Sequence, residues 1–307
     1  MNTADLFEIE KQLRETREEE RDVEIAKEVE EHKLHVTRVQ RGARLKKAAR
    51  PRLDFLAIGD SWFKYPLDGN ILLPPFDFGI TAKSQLQSMG NPRPLILSQA
   101  WPGQASTAVL SYKRQQDIID VLEDGSQWIN GRGPDGILIS AGGDDIAGDQ
   151  LAIYLEYGGG MTTSSSRFQG VLELVKASYA DLFDLRNRFA PGVPIFGHCY
   201  DYALPNGARA SILGPWLQPS FDFALYDPGD ATQVVKHMID ELHDMLNGLA
   251  AVKKHNFHLV DTRNIIAPNN IYPKGWANEL HPYTPGFTLL AKKFLDALKN
   301  YFPPGSI

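Results

Sequence analysis

Leu53-Asp-Phe-Leu-Ala-Ile-Gly-Asp-Ser-Trp-Phe63 is the stretch that decides the fold. Its apolar run, 55–58, stops at Gly59-Asp60-Ser61. A short apolar run closed by a turn signal reads as a buried strand rather than a helix. A serine delivered at the carboxyl end of such a strand stands where open α/β sheets bind ligands. Outward from it, four more runs have strand character: 94–98, 136–140, 193–197 and 257–260. Helical segments are expected over 105–122, 168–189, 231–252 and 286–301. In the third, Val234, Met238, Leu242, Met245 and Leu249 recur at three- and four-residue steps, the spacing of a core-facing stripe. Strands separated by helices imply right-handed crossovers and a mostly parallel sheet, an α/β fold. No internal repeat is present.

The 307 residues suffice for one large domain or two modest ones, and 43% hydrophobic content supplies a sizeable core. A formal charge of -6, with no basic excess in the folded part, gives no nucleic-acid signature. The single cysteine, Cys199, can form neither an internal disulfide nor a cysteine metal cluster, and it reads as a buried, inert side chain. Residues 1–20 are densely charged and lack the apolar core of a secretion signal, and no run reaches membrane-spanning length. The expected location is cytoplasmic.

Residues 1–50 differ from the remainder, 51–307, and are read as a charged helical arm attached to the α/β domain. Acidic residues end at Glu31, and every formal charge from Lys33 to Arg50 is positive, a polarity that complements a helix dipole. Glu10 and Arg14 are spaced for an ion pair. The apolar stripe Leu6, Ile9, Leu13 lapses across 16–21 and resumes at Val23, which argues against a sustained coiled coil. The arm reads as a helix for self-association or partner docking, or else as a solvated extension.

A serine hydroxyl needs a base before it attacks anything. His281 is the stronger candidate, in Trp276-Ala-Asn-Glu-Leu-His-Pro-Tyr-Thr-Pro-Gly286, with the Asn278 carbonyl placed to orient its ring. His198, at the end of a strand run, is the rival. Two segments after strands offer donors for a developing oxyanion. Ala100-Trp-Pro-Gly-Gln-Ala-Ser106 carries Gly103, where a backbone N–H can approach a ligand without a Cβ in the way. Ser140-Ala-Gly-Gly-Asp-Asp-Ile-Ala-Gly148 carries 142–145. Each alone reads equally as an ordinary strand-to-helix turn. A Gly- and Ser-rich loop at 157–166 is expected to be flexible, and an aromatic- and proline-rich segment at 204–229 can wall a pocket.

Taken in order, Gly-Asp-Ser, then Gly, then Gly-x-Asp-Asp, then His-Pro resembles the SGNH (GDSL) hydrolase superfamily over roughly 53–301. The resemblance is closest to a bacterial branch whose first block reads as Gly59-Asp-Ser-Trp-Phe-Lys-Tyr-Pro66 does here. Tyr200-Asp-Tyr202, Gly214-Pro-Trp-Leu217 and Trp276-Ala-Asn-Glu-Leu-His-Pro282 belong to the same likeness. It implies a three-layer α/β/α sandwich with a five-stranded parallel sheet of flavodoxin-like type. It also implies a serine hydrolase of small-molecule or lipid acyl esters that uses no cofactor or metal. Ser61 would be the nucleophile and a backbone oxyanion donor, Gly103 a second donor, and His281 the general base and then acid. Asp60 and Asp145 would support the site.

Two positions depart from the superfamily pattern. The third oxyanion donor is normally an asparagine amide, and here it is Asp144. An ionised carboxylate only accepts hydrogen bonds and would repel an oxyanion. Asp144 must therefore be protonated beside Asp145, or be replaced by another donor, or mark a weak enzyme or binding protein that keeps the pocket. Asn278 stands where an aspartate is usual, and an amide orients an imidazole without stabilising its cation. The expectation is a serine esterase, with a catalytically impaired binding or assembly protein as the alternative.

Overall fold

A computed structural model describes residues 3–45, 52–65, 85–160, 165–209 and 214–307. Pro66, the side chains of Leu6, Ile9, Glu10, Leu13 and Arg14, and parts of the two loops (161–164 and 210–213) lie outside the described residues.

Five strands form one sheet: β1 (Asp54–Gly59), β2 (Leu95–Ser98), β3 (Gly136–Ser140), β4 (Ile195–His198) and β5 (Phe257–Val260). Every pairing is parallel, in the order β2-β1-β3-β4-β5. The strands begin within two residues of the expected positions, because continuous apolar runs between turn signals are what a doubly covered parallel sheet requires. β1 and β3 are buried along their whole lengths.

The helices are α1 (Thr3–Leu45), α2 (Gln85–Met89), α3 (Ser106–Val109), α4 (Tyr112–Glu123), α5 (Leu151–Tyr154), α6 (Ser165–Phe189), α7 (Gln218–Phe223), α8 (Pro228–Ala250) and α9 (Thr284–Tyr301). In one layer α6 touches α3, α4 and α8, and α2 packs with α9 in the other. The architecture is the three-layer α/β/α sandwich. None of the described helices is long and apolar enough to cross a membrane. Cys199 is buried, and burial pushes its thiol up to about 12.

Two expectations need correction. The segment 105–122 is not one helix: Ser111 adopts an extended backbone, φ -63° and ψ 159°, and divides α3 from α4. The stripe on α1 does not resume at Val23, which is 71% exposed. The buried positions are Arg21, Ile25, His32 and Val36, with Val29 partly buried, at helical spacing on one face. A stripe containing an arginine and a histidine is invisible to an apolar count. That face runs along β2, the edge strand, and covers an edge that would otherwise offer unpaired backbone groups. His32 Nε2 lies 3.1 Å from Asp54 Oδ1, a close polar contact at the start of β1. Burying Ile25 and Val36 stabilises this docking by about 1.5–3 kcal/mol each.

Candidate active site

In the strand order 2-1-3-4-5 the direction of progression reverses between β1 and β3, and ligands bind beyond the carboxyl ends at that point. Ser61 follows β1 and Asp144 follows β3. Gly59 makes the junction possible. Its φ is +142°, and a Cβ there would sit 2.2 Å from the Ser140 carbonyl oxygen, so only glycine lets the strands pair this far. The Asp60 N–H then donates to the same oxygen at 3.0 Å.

His281 comes from the segment before α9, 220 positions along the chain, and its Nε2 is 2.8 Å from Ser61 Oγ. Asn278 Oδ1 accepts the backbone N–H groups of Leu280 and His281, each at 3.0 Å, which identifies that atom as the amide oxygen. His281 Nδ1 is also 3.0 Å from it and must therefore be the protonated nitrogen. Nε2 is left with a lone pair facing the serine hydroxyl. Burial lowers the His281 pKa to about 3, so the ring is neutral and able to accept a proton. Tyr65 stacks on this imidazole, with ring centres 3.7 Å apart and planes within 1°. Trp216 meets it edge-on at 5.8 Å.

Two residues that sequence reasoning left without a role draw these segments together. Trp62, buried between His198, Tyr200, Trp276 and Phe287, donates its indole N–H to the Leu280 carbonyl at 3.1 Å. Glu279 is fully buried and accepts the backbone N–H groups of Gly207, Trp216, Leu217 and Gln218. It thereby binds the aromatic segment at 204–229 onto the histidine segment. A charged residue wedged in Asn-Glu-Leu-His was the available signal, since an acid that cannot reach solvent needs several donors.

His198 is the second serine-bonded histidine. Its Nδ1 accepts the Tyr200 backbone N–H at 3.1 Å, so its Nε2 carries the proton and donates to Ser140 Oγ at 2.8 Å. Ser140 in turn donates to Asp60 Oδ1 at 2.5 Å. Trp62 N–H reaches the same oxygen at 3.0 Å, and the Tyr200 hydroxyl donates to the other. Asp60 is thus a structural acceptor of three donors beneath the nucleophile turn.

Asp144 shares a cleft with Ser61. Burial first, and then the charges of Asp60 and Asp145, raise its pKa well above the usual carboxylate range, although the Gln104 backbone N–H pulls the other way. Burial brings Asp60 to about 6, but its three donors favour its ionised form, so the proton of this pair belongs on Asp144. Asp144 Oδ2 is buried without a hydrogen-bond partner. Asp145 does not share a proton with Asp144. Its two oxygens accept the Ser106 N–H and hydroxyl at 2.7 and 2.8 Å, and it affects Asp144 through charge. Gly103 has φ +72°, and a Cβ there would meet nothing within 4 Å. Its glycine answers to the turn and not to a crowding neighbour.

The cleft is lined by Asp60, Ser61, Trp62, Asp144 and Tyr200 at its polar end. Beyond Ser61 and Asp144 it is walled by Ile146, Leu151, Leu217, Val235, Met238 and Ile239, an apolar trough ending on α8.

No protein-family model and no curated protein matches the sequence. Solved structures do match its shape. A carbohydrate acetylesterase from Sinorhizobium meliloti superposes with a TM-score of 0.50 at 11% identity, covering 82% of this chain and all (100%) of that one. A lipase from a goat rumen metagenome gives 0.49 at 15% identity, covering 80% and 97%. An extracellular lipase from Streptomyces rimosus gives 0.47 at 16% identity, covering 81% and 100%. The chain shares the fold of that acetylesterase, here a three-layer α/β/α sandwich on a five-stranded parallel sheet.

Proposed function

We propose that the protein is a serine ester hydrolase of the SGNH type, cleaving acyl esters whose apolar part lies in the trough beside Ser61. The observation that carries this reading is the directed pair His281 Nε2–Ser61 Oγ at 2.8 Å, with the tautomer set by Asn278. Ser61 Oγ attacks the acyl carbonyl carbon while its proton passes to His281 Nε2. The tetrahedral oxyanion takes hydrogen bonds from the backbone N–H groups of Ser61 and Gly103 and from the protonated Asp144 carboxyl. Collapse expels the alcohol, which leaves with the proton from His281. A water molecule then gives its proton to His281 and attacks the acyl-enzyme, and return of that proton to Ser61 releases the acid.

Asp144 also supports a second reading, a binding protein with an impaired site, because an acid stands where the resemblance implies an amide. A fluorophosphonate probe and a series of p-nitrophenyl acyl esters separate the two. Labelling that depends on Ser61, with hydrolysis of at least one ester, is the expected result. If neither is observed with the folded wild-type chain, the binding reading takes its place.

A further inference from the structure

We propose that α1 is part of the catalytic unit, its residues Arg21, Glu24 and Glu28 acting as positioning residues that clamp the oxyanion loop to the nucleophile turn. The proposal rests on the hydrolase reading above. The three residues recur at steps of three and four, which places them along one side of the helix.

Arg21 is buried, and its Nη1 donates to Gln104 Oε1 at 2.5 Å. Gln104 is the residue whose backbone N–H favours the charged form of Asp144, and Gly103 precedes it. One helical turn on, Glu24 and Glu28 hold Lys64 Nζ at 2.7 and 3.0 Å. Lys64 closes the turn after Ser61, its N–H bonded to the Asp60 carbonyl at 3.1 Å. The same ammonium lies 5.2 Å from the centre of the Trp101 ring, at the start of the oxyanion loop. The helix therefore holds the loop directly at 104 and the turn at 64, and Lys64 in turn reaches Trp101. The two segments carry the proposed donor and the proposed nucleophile. Desolvated contacts of this kind hold geometry: Lys64 has only 13% of its side chain exposed, with two carboxylates on it.

The consequence is kinetic. A loop released from behind leaves Ser61 and His281 in place but lets the donors drift from the oxyanion, a loss felt in the transition state and not in substrate binding. In the full-length chain, Arg21→Met should lower kcat on p-nitrophenyl esters about ten- to a hundredfold with KM unchanged. Arg21→Lys should recover part of it, and backbone amides at 101–106 should exchange hydrogen faster in the Met variant. The Glu24→Gln, Glu28→Gln double variant should show a smaller loss in the same direction. A kcat within twofold of wild type, or a fall in kcat that only follows a fall in folded fraction by circular dichroism, overturns the clamp. If wild type proves inactive, the hydrolase reading fails separately and exchange at 101–106 decides. Unchanged exchange in Arg21→Met then sinks the clamp, and faster exchange upholds it.

Discussion

The described residues contain two buried serine–histidine pairs of equal length, His281–Ser61 and His198–Ser140, both 2.8 Å from Nε2 to Oγ. Burial lowers both imidazoles to about 3, so both are neutral. They differ in the direction of the proton. Asn278 accepts from Nδ1 of His281, which leaves Nε2 as a base facing a hydroxyl that lines a cleft. The Tyr200 N–H donates to Nδ1 of His198, which makes Nε2 a donor to a serine already committed to Asp60. The first pair can activate a nucleophile, whereas the second can only brace the sheet. A distance alone does not distinguish a catalytic pair from a structural one; the second ring nitrogen does.

The strongest way to break this contrast is to delete each pair. Ser61→Ala or His281→Ala should reduce kcat by about a millionfold and abolish labelling by a fluorophosphonate. Ser140→Ala should leave Ser61 labelling intact in the folded protein. If Ser140→Ala also abolished labelling without loss of stability, the assignment of the two pairs would be reversed.

A finer cut removes the tautomer and keeps the histidine. Asn278→Ala should reduce kcat by up to about ten-thousandfold in the folded protein, since Nε2 is then no longer held bare toward Ser61, and should also cost about 1–3 kcal/mol because the Leu280 and His281 N–H groups lose their acceptor. Nitrogen chemical shifts of the His281 ring read the tautomer directly, and an unchanged pattern in the variant would mean that Asn278 does not set it.

Asp144 sharpens the comparison through pH. His281 must be neutral to work; that form is present above about pH 3 and is lost as pH falls through that value. Asp144 must be protonated to donate, and burial with two acidic neighbours raises its pKa. Its contribution is therefore present below the raised pKa and lost as pH rises through it. Activity should hold from the acid side until pH rises through the raised Asp144 pKa, and Asp144→Asn should abolish that fall, giving about a hundredfold advantage above it. A descending limb that survives in Asp144→Asn would assign it to another group.

The smallest effect belongs to the structural pair. His198→Ala orphans the Ser140 and Tyr200 partners and should cost about 1–3 kcal/mol in urea unfolding. A variant as stable as wild type would show that the network under Asp60 bears little.

The sheet was legible because each strand announces itself locally, as 55–58 does between Leu53 and Gly59-Asp60. Ser61, Asn278 and His281 were legible for a related reason, as their neighbours in sequence form the turns that display them. The docking face of α1 was not, because Arg21 and His32 look solvent-bound until Gln104 and Asp54 stand opposite them. The role of Glu279 was hidden for the same reason, its donors lying 61–72 positions away.

By itself, then, the sequence determined the five-stranded α/β scaffold and the residue types at its carboxyl edge. The tertiary structure alone decided which nitrogen of His281 and of His198 holds its proton and which donors surround Asp60. It also laid the buried face of α1 against β2. The physical reason is that periodicity and turn chemistry act over a few residues. Proton placement depends on the full set of donors, charges and burial around an atom, and the fold draws those from across the whole chain.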